Sequence, residues 1–96
     1  MLPKYLYLRV TKEDISRGSR GSMESCPVAL AVQRQLARPF VSVDFETVTI
    51  EEPTTRGGWR ERVYPVGRRM ETWMMRFDTG LPVVPTAFAL LARKKR

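Results

Sequence analysis

The sequence predicts a single small α+β domain: a mostly antiparallel sheet of about four strands, two main helices and one short helix. Three observations lead to this class: runs that alternate between apolar and polar residues, apolar stripes at helical spacing, and proline or glycine at the junctions. The 96 residues have room for one core, and 43% hydrophobic with 28% charged residues is a globular composition. We expect the order β-α-α-β-β-α-β, with a domain at residues 1–92 and a basic tail at 93–96.

The first two elements are a strand and a short helix. The segment Tyr5–Val10 is rich in aromatic and branched residues, which predicts a strand whose even-numbered side chains face the core. Thr11 then offers a helix cap, acidic residues occupy the first turn, and Gly18 is suited to end the helix. The sequence therefore predicts one or two helical turns directly after the strand.

A longer helix follows a glycine- and serine-rich loop. We place its start near Ser25 or Cys26, because Pro27 suits a first helical turn and apolar residues then recur at helical spacing. Pro39 prevents the helix from continuing beyond Arg38.

The next segment alternates strictly over residues 41–46, which predicts a half-buried strand with Val41, Val43 and Phe45 on its core face. The alternation changes phase at Thr47. We interpret this change as a β-bulge or a bend within one strand, because a shift of one residue moves every side chain to the opposite face.

A turn region at residues 51–58 leads into a returning strand at Trp59–Tyr64. One face of this strand carries Trp59, Glu61 and Val63, and the other carries Arg60, Arg62 and Tyr64. The arginine face is exposed only if Val63 and Trp59 point inward. The apolar Val63 supports that orientation, whereas Glu61 on the same face opposes it.

The clearest amphipathic stripe lies between Arg68 and Asp78, where apolar residues recur at i, i+3, i+4 and i+7. This stripe consists of Met70, Trp73, Met74 and Phe77. Met75 falls outside it, so we expect that side chain to be exposed. Residues 86–91 then predict a last strand before the basic end of the chain.

The net charge of +7 arises from 17 Lys and Arg against 10 Asp and Glu, and it is unevenly distributed. The tail residues Arg93, Lys94, Lys95 and Arg96 supply four of these charges. The second excess carries our predicted partner-binding residues, namely Arg56, Arg60, Arg62, Tyr64, Arg68, Arg69 and Arg76. Arginine mixed with aromatic residues is typical of nucleic-acid surfaces and of protein–protein hot spots, while a solvated charged surface is the simpler interpretation.

The residue inventory argues against an enzyme. The chain has no histidine, which excludes Ser-His and Cys-His catalysis and histidine-ligated metal sites. Its one cysteine, Cys26, stands at a predicted helix N-terminus, but a lone cysteine beside Pro27 is more often a small buried hydrophobe. We therefore expect no catalytic residue, no metal and no cofactor.

A second candidate site is the loop that precedes the longer helix. Glycines let backbone N–H groups converge near a helix start, and two arginines could hold a phosphate between them. The residues of this anion-binding hypothesis are Arg17, Arg20, Ser22 and Ser25. Glu24 opposes an anion there, and a plain flexible loop is the alternative.

Two short segments carry a resemblance. Ser25-Cys-Pro-Val-Ala-Leu-Ala and Arg76-Phe-Asp-Thr-Gly-Leu-Pro-Val-Val-Pro, within a pattern over residues 8–91, resemble short uncharacterised proteins of bacteriophages and their hosts. That family has no established activity to transfer. The resemblance implies a small accessory protein that acts on host machinery or defence, in the cytoplasm of a bacterial host.

Three functional hypotheses follow. The first is a non-enzymatic protein that binds an anionic partner, most simply nucleic acid, through the arginine-rich surface. The second is a phage-type inhibitor that binds a host protein of the defence or transcription machinery, one that presents an acidic surface. The third is an oligomeric protein that captures a nucleotide with the loop before the longer helix. We expect no membrane association, because the apolar runs are far shorter than the ~20 residues that span a bilayer; the oligomeric state is left open.

Overall fold

A computed structural model of the chain describes residues 2–37 and 40–93. Its elements are β1 (Tyr5–Val10), α1 (Lys12–Arg17), α2 (Pro27–Leu36), β2 (Val41–Val43), β3 (Thr47–Pro53), β4 (Trp59–Pro65), α3 (Arg68–Asp78) and β5 (Thr86–Leu91). The predicted α+β class is confirmed. Among the described helices, none combines the length and the hydrophobicity needed to cross a membrane.

The strands form two antiparallel sheets. β1 pairs with β5, and β2, β3 and β4 form the second sheet in that order. The sheets adjoin beyond the end of β5, where the main-chain N–H of Arg93 donates a 2.7 Å hydrogen bond to the carbonyl of Val63 in β4. The hydroxyl of Tyr64 also donates to the carbonyl of Pro3, just before β1. These two contacts fix β4 against the first sheet.

The phase change at Thr47 is a chain reversal, so the prediction of a bulge or bend is wrong. Asp44 Oδ1 accepts the N–H groups of Glu46 and Thr47 at 2.7 and 2.8 Å, which lets the chain turn back within three residues. Phe45 lies in this turn and is exposed, although the alternation predicts it to be core. β2 and β3 are therefore the two arms of a hairpin.

The core lies between the sheets and the helices. Leu6, Leu8 and Val10 of β1 are buried, as the alternation predicts. The α3 stripe is confirmed: Met70, Trp73 and Met74 are buried, Phe77 packs against them half-buried, and Met75 is exposed. Trp73 also donates its indole N–H to the carbonyl of Val84 at 3.0 Å, which anchors the segment between α3 and β5.

A capping box starts α1. Thr11 accepts the N–H of Asp14, and the Asp14 carboxylate accepts the N–H of Thr11. Arg34 of α2 donates to the same carboxylate at 2.9 Å. Burial raises the pKa of Asp14, but the hydrogen bonds from Arg34 and Thr11 outweigh burial and hold it below its usual range. This pair joins the two helices.

The second helix begins as the sequence predicts, with Pro27 in the first turn and Cys26 as its N-cap. It ends at Leu36, and Ala37 adopts the left-handed conformation that commonly terminates helices. The predicted stop at Arg38 and Pro39 lies outside the described residues.

Candidate anion-binding cleft

The predicted partner-binding residues do not form one surface. Arg69 donates to the carbonyl of Ala87 at 3.0 Å, and its guanidinium lies 5.0 Å from the centre of the Phe88 ring. Arg76 donates to the carbonyl of Pro82 at 3.1 Å. These two arginines hold α3 against the segment that follows it. Their positions on the helix are therefore explained by contacts within the protein and do not require a binding partner.

Tyr64 is buried, so it cannot contact a partner as the sequence predicts. Burial raises the pKa of this phenol, in spite of the nearby Arg62. Because Tyr64 points inward, Arg60 and Arg62 share the inner face of β4, and the orientation with Trp59 inward is wrong: Trp59 is 58% exposed.

Arg60 and Arg62 nevertheless reach solvent, for a different reason. The core covers the inner face of β4 near Tyr64 but does not extend along the strand as far as its first residues. Arg62 is therefore half-buried and Arg60 is exposed. In the register of the sheet, Arg62 lies opposite the buried Ile50, at the margin of the core. The two guanidiniums therefore lie where the strand extends past the apolar interior.

A cleft of about 480 Å³ opens at this margin. The residues that line it are Lys4, Arg60, Glu61, Arg62, Val63, Ala92 and Arg93. Its four cations come from three separate places in the chain: the residue before β1, the first half of β4, and the segment after β5. The hydrogen bond from Ala92 N–H to the carbonyl of Lys4, 2.7 Å long, brings the two chain ends to one side of the cleft.

Within the described residues, the side chains of the cleft cations form no hydrogen bond or ion pair, and the buried Glu52 lies opposite Arg60 in the register of the sheet. This holds across residues 2–37 and 40–93 for Lys4, Arg60, Arg62 and Arg93. Glu61 is the one acidic residue among those lining the cleft, so the lining carries four positive charges and one negative charge. Such a concentration of cations in a concave surface attracts anions.

The other predicted basic residues lie outside this cleft. Arg56 is exposed in the turn between β3 and β4, and Arg68 is exposed at the start of α3. Arg93 belongs to the cleft and has its main chain bonded to β4. The remaining tail residues, Lys94, Lys95 and Arg96, lie outside the described part of the chain.

The loop predicted to bind an anion is occupied by internal contacts. The N–H of Gly21 donates to the Asp78 carboxylate at 3.1 Å, and Ser22 Oγ accepts the N–H of Ser25 at 3.0 Å. Arg17 and Arg20 are exposed, but the N–H of Gly21, the residue after Arg20, already donates to a carboxylate. The structure therefore does not bring these residues together around a free cluster of N–H groups.

Cys26 lies at the wall of a second, mostly apolar cavity of about 180 Å³ between α2, α3 and the β2–β3 turn. Burial raises the pKa of this thiol, and the hydrogen bond from the N–H of Ala29 does not compensate. A thiol with a raised pKa is a poor nucleophile at neutral pH, which fits the interpretation of Cys26 as a small core residue.

Sequence reasoning missed Lys4 and assigned Arg93 to a tail. Both residues flank apolar strand segments at opposite ends of the described chain, so no local pattern joins them to Arg60 and Arg62. The sequence feature that could have indicated them is a cation at the end of each strand. Lys4 directly precedes Tyr5–Val10, and Arg93 is the second residue after Thr86–Leu91.

Comparison of the chain with protein-family models, with curated proteins and with solved structures gives no match. The resemblance to short bacteriophage proteins stays a prediction, and the functional argument rests on the geometry of the cleft.

Proposed function

We propose that this protein is a non-enzymatic binding protein whose basic cleft holds an acidic segment of another protein. The observation that carries the proposal is the convergence of Lys4, Arg60, Arg62 and Arg93 on one concave surface, with no hydrogen bond or ion pair to their side chains within residues 2–37 and 40–93. Arginine in a cleft can hold carboxylates through paired hydrogen bonds. The function is that of the second sequence hypothesis, in which a host protein with an acidic surface is the partner.

The position of the aromatic residues favours a protein partner over single-stranded nucleic acid. Proteins that bind single strands combine cations with aromatic rings on which bases stack. Here the exposed rings Phe40 and Trp59 pack edge to face with centroids 5.2 Å apart, and Trp59 projects from the face of β4 opposite to Arg60. Tyr64, on the arginine face, is buried. No aromatic residue is among the described residues that line the cleft, although Tyr5, next to Lys4 in sequence, is exposed.

Nucleic acid is the second candidate, and the charge of the whole chain supports it. The net charge of +7 and the run Lys94-Lys95-Arg96, which follows Arg93 in sequence, are features that attract phosphates without regard to a defined pocket. Under this candidate the cleft is one part of a diffuse positive surface.

One binding experiment separates the two candidates. We would measure, by fluorescence anisotropy at low and at physiological salt, the affinity for a glutamate-rich peptide and for single- and double-stranded DNA of matched charge. We expect the peptide to bind more tightly than either DNA at physiological salt. Tighter binding of DNA, with a steep loss of affinity as salt rises, would contradict the protein-partner proposal, and absence of binding to all three probes would contradict an anion-binding cleft.

A further inference from the structure

We infer that the acidic segment binds in an extended conformation and adds a strand to the outer edge of β4. This inference rests on the proposed function and concerns the way in which the cleft holds its partner. Strand addition supplies main-chain hydrogen bonds for affinity, while side-chain contacts at alternate positions supply selectivity.

The edge of β4 beside the cleft is open. β4 is the last strand of its sheet, with β3 on its other side. Val66 donates its N–H to Glu46 of the chain entering β3, whereas the carbonyl of Val63 accepts the N–H of Arg93 on the opposite side. Since successive residues of a strand direct their backbone groups to opposite sides, those of Trp59 and Glu61 point away from β3, like those of Val63.

These edge groups lack partners in the described structure. Over residues 2–37 and 40–93, no backbone hydrogen bond uses the N–H or the carbonyl of Trp59 or Glu61 on this side. Within residues 2–37 and 40–93, the first sheet is hydrogen-bonded to this edge at Val63, through the N–H of Arg93. The open stretch from Trp59 to Arg62 is about 10 Å long at ~3.3 Å per residue, which suits a short extended segment.

The charges around this edge select the occupant. Arg60 and Arg62 project from one face of β4, and Lys4 and Arg93 approach from the end of the first sheet. A strand placed between them would direct every second side chain toward these cations, so acidic residues at alternate positions fit. A second copy of this chain would bring the same cations against each other, and charged residues at a sheet edge are a known barrier to such self-pairing.

A proline at the edge tests strand addition directly. Glu61→Pro removes one outward N–H without removing a hydrogen bond to β3, and prolines are tolerated on edge strands. Glu61→Gln is the matched control, because it also removes the negative charge but keeps the N–H. We expect the glutamate-rich peptide to bind Glu61→Pro at least about tenfold more weakly than Glu61→Gln, since the ring also blocks the approach of the added strand.

A second measurement uses the unchanged protein and so does not depend on the proline variant folding. Two versions of the peptide carry N-methyl groups on alternate backbone nitrogens. One version is methylated at the odd-numbered residues and the other at the even-numbered residues. We expect one version to lose binding at least about tenfold and the other to bind nearly as well as the unmodified peptide, because only alternate N–H groups face β4. Equal binding of both, together with equal binding of the proline and glutamine variants, would overturn strand addition while leaving the proposed function in place. Failure of the unmodified peptide to bind would overturn both.

Discussion

The main-chain N–H of Arg93 donates a 2.7 Å hydrogen bond to the carbonyl oxygen of Val63, and this contact joins the two sheets of the protein. It places the end of β5 beside β4, so Arg93 and Lys4 lie next to Arg62 around the basic cleft. Two small sheets thereby produce a concentration of positive charge that neither contains alone.

Arg69 provides a first prediction, because its role in the structure is internal. Replacing it with Ser removes the hydrogen bond to Ala87 and the contact with the Phe88 ring. We expect a loss of about 1–2 kcal/mol in the free energy of unfolding, measured by urea denaturation, and no change in affinity for the acidic peptide. Weaker peptide binding with unchanged stability would show that Arg69 belongs to the binding surface.

The orientation of α3 gives a second prediction. Trp73→Ala should destabilise the protein by about 3–5 kcal/mol, because it removes a buried ring and the hydrogen bond to Val84. Met75→Ala, at the exposed position two residues further on, should cost less than about 0.5 kcal/mol. Thermal or urea denaturation of both variants measures the difference. Similar losses in the two variants would contradict the burial of Trp73 and the exposure of Met75 on α3.

The pair of Asp14 and Arg34 predicts a dependence of stability on acidity. The folded-state pKa of Asp14 lies below its ordinary value of 3.8, so its carboxylate stabilises the fold above that pH. This contribution is lost as the pH falls below 3.8 toward the folded-state pKa. Asp14→Asn should therefore be less stable than the parent by about 1–3 kcal/mol at pH 7, and the gap should narrow in acid. A gap that is constant with pH would contradict the ionised contact.

Cys26 predicts slow thiol chemistry. Because the side chain is buried and its pKa is raised, we expect an added disulfide reagent to react with the native protein at least about tenfold more slowly than with the urea-unfolded chain. Absorbance of the released thiol reagent follows the reaction. Faster labelling in the folded state would indicate an activated thiol and would reopen the question of catalysis.

The parts of the fold that the sequence predicts well are those set by local patterns. The α3 stripe and the alternation of β1 depend on neighbouring side chains, and both are confirmed. The reversal at Asp44 was hidden because an aspartate that caps a turn looks the same in sequence as a polar residue on an exposed strand face. Only the hydrogen bonds of its carboxylate distinguish the two.

The cleft could be predicted only in part, for a physical reason. Arg60 and Arg62 stand out as a local excess of charge, but Lys4 and Arg93 join them through pairing of strands from opposite ends of the chain. Tyr64 was misplaced because half of its strand is covered by the core and half extends past it, which alternation alone cannot reveal. Contacts between residues far apart in sequence therefore explain why Lys4 and Arg93 were not assigned to the cleft and why Tyr64 was wrongly placed on the binding surface.

The most direct measurement of the central claim compares two variants that remove the same charge from different places. Arg60→Ser with Arg62→Ser alters the cleft, and Arg17→Ser with Arg20→Ser alters the loop before α2. By titration of the glutamate-rich peptide at physiological salt, we predict that the cleft variant loses at least about a hundredfold in affinity, whereas the loop variant stays within about threefold of the parent. Equal losses in the two variants would show that net charge alone attracts the peptide and would contradict a specific role for the cleft.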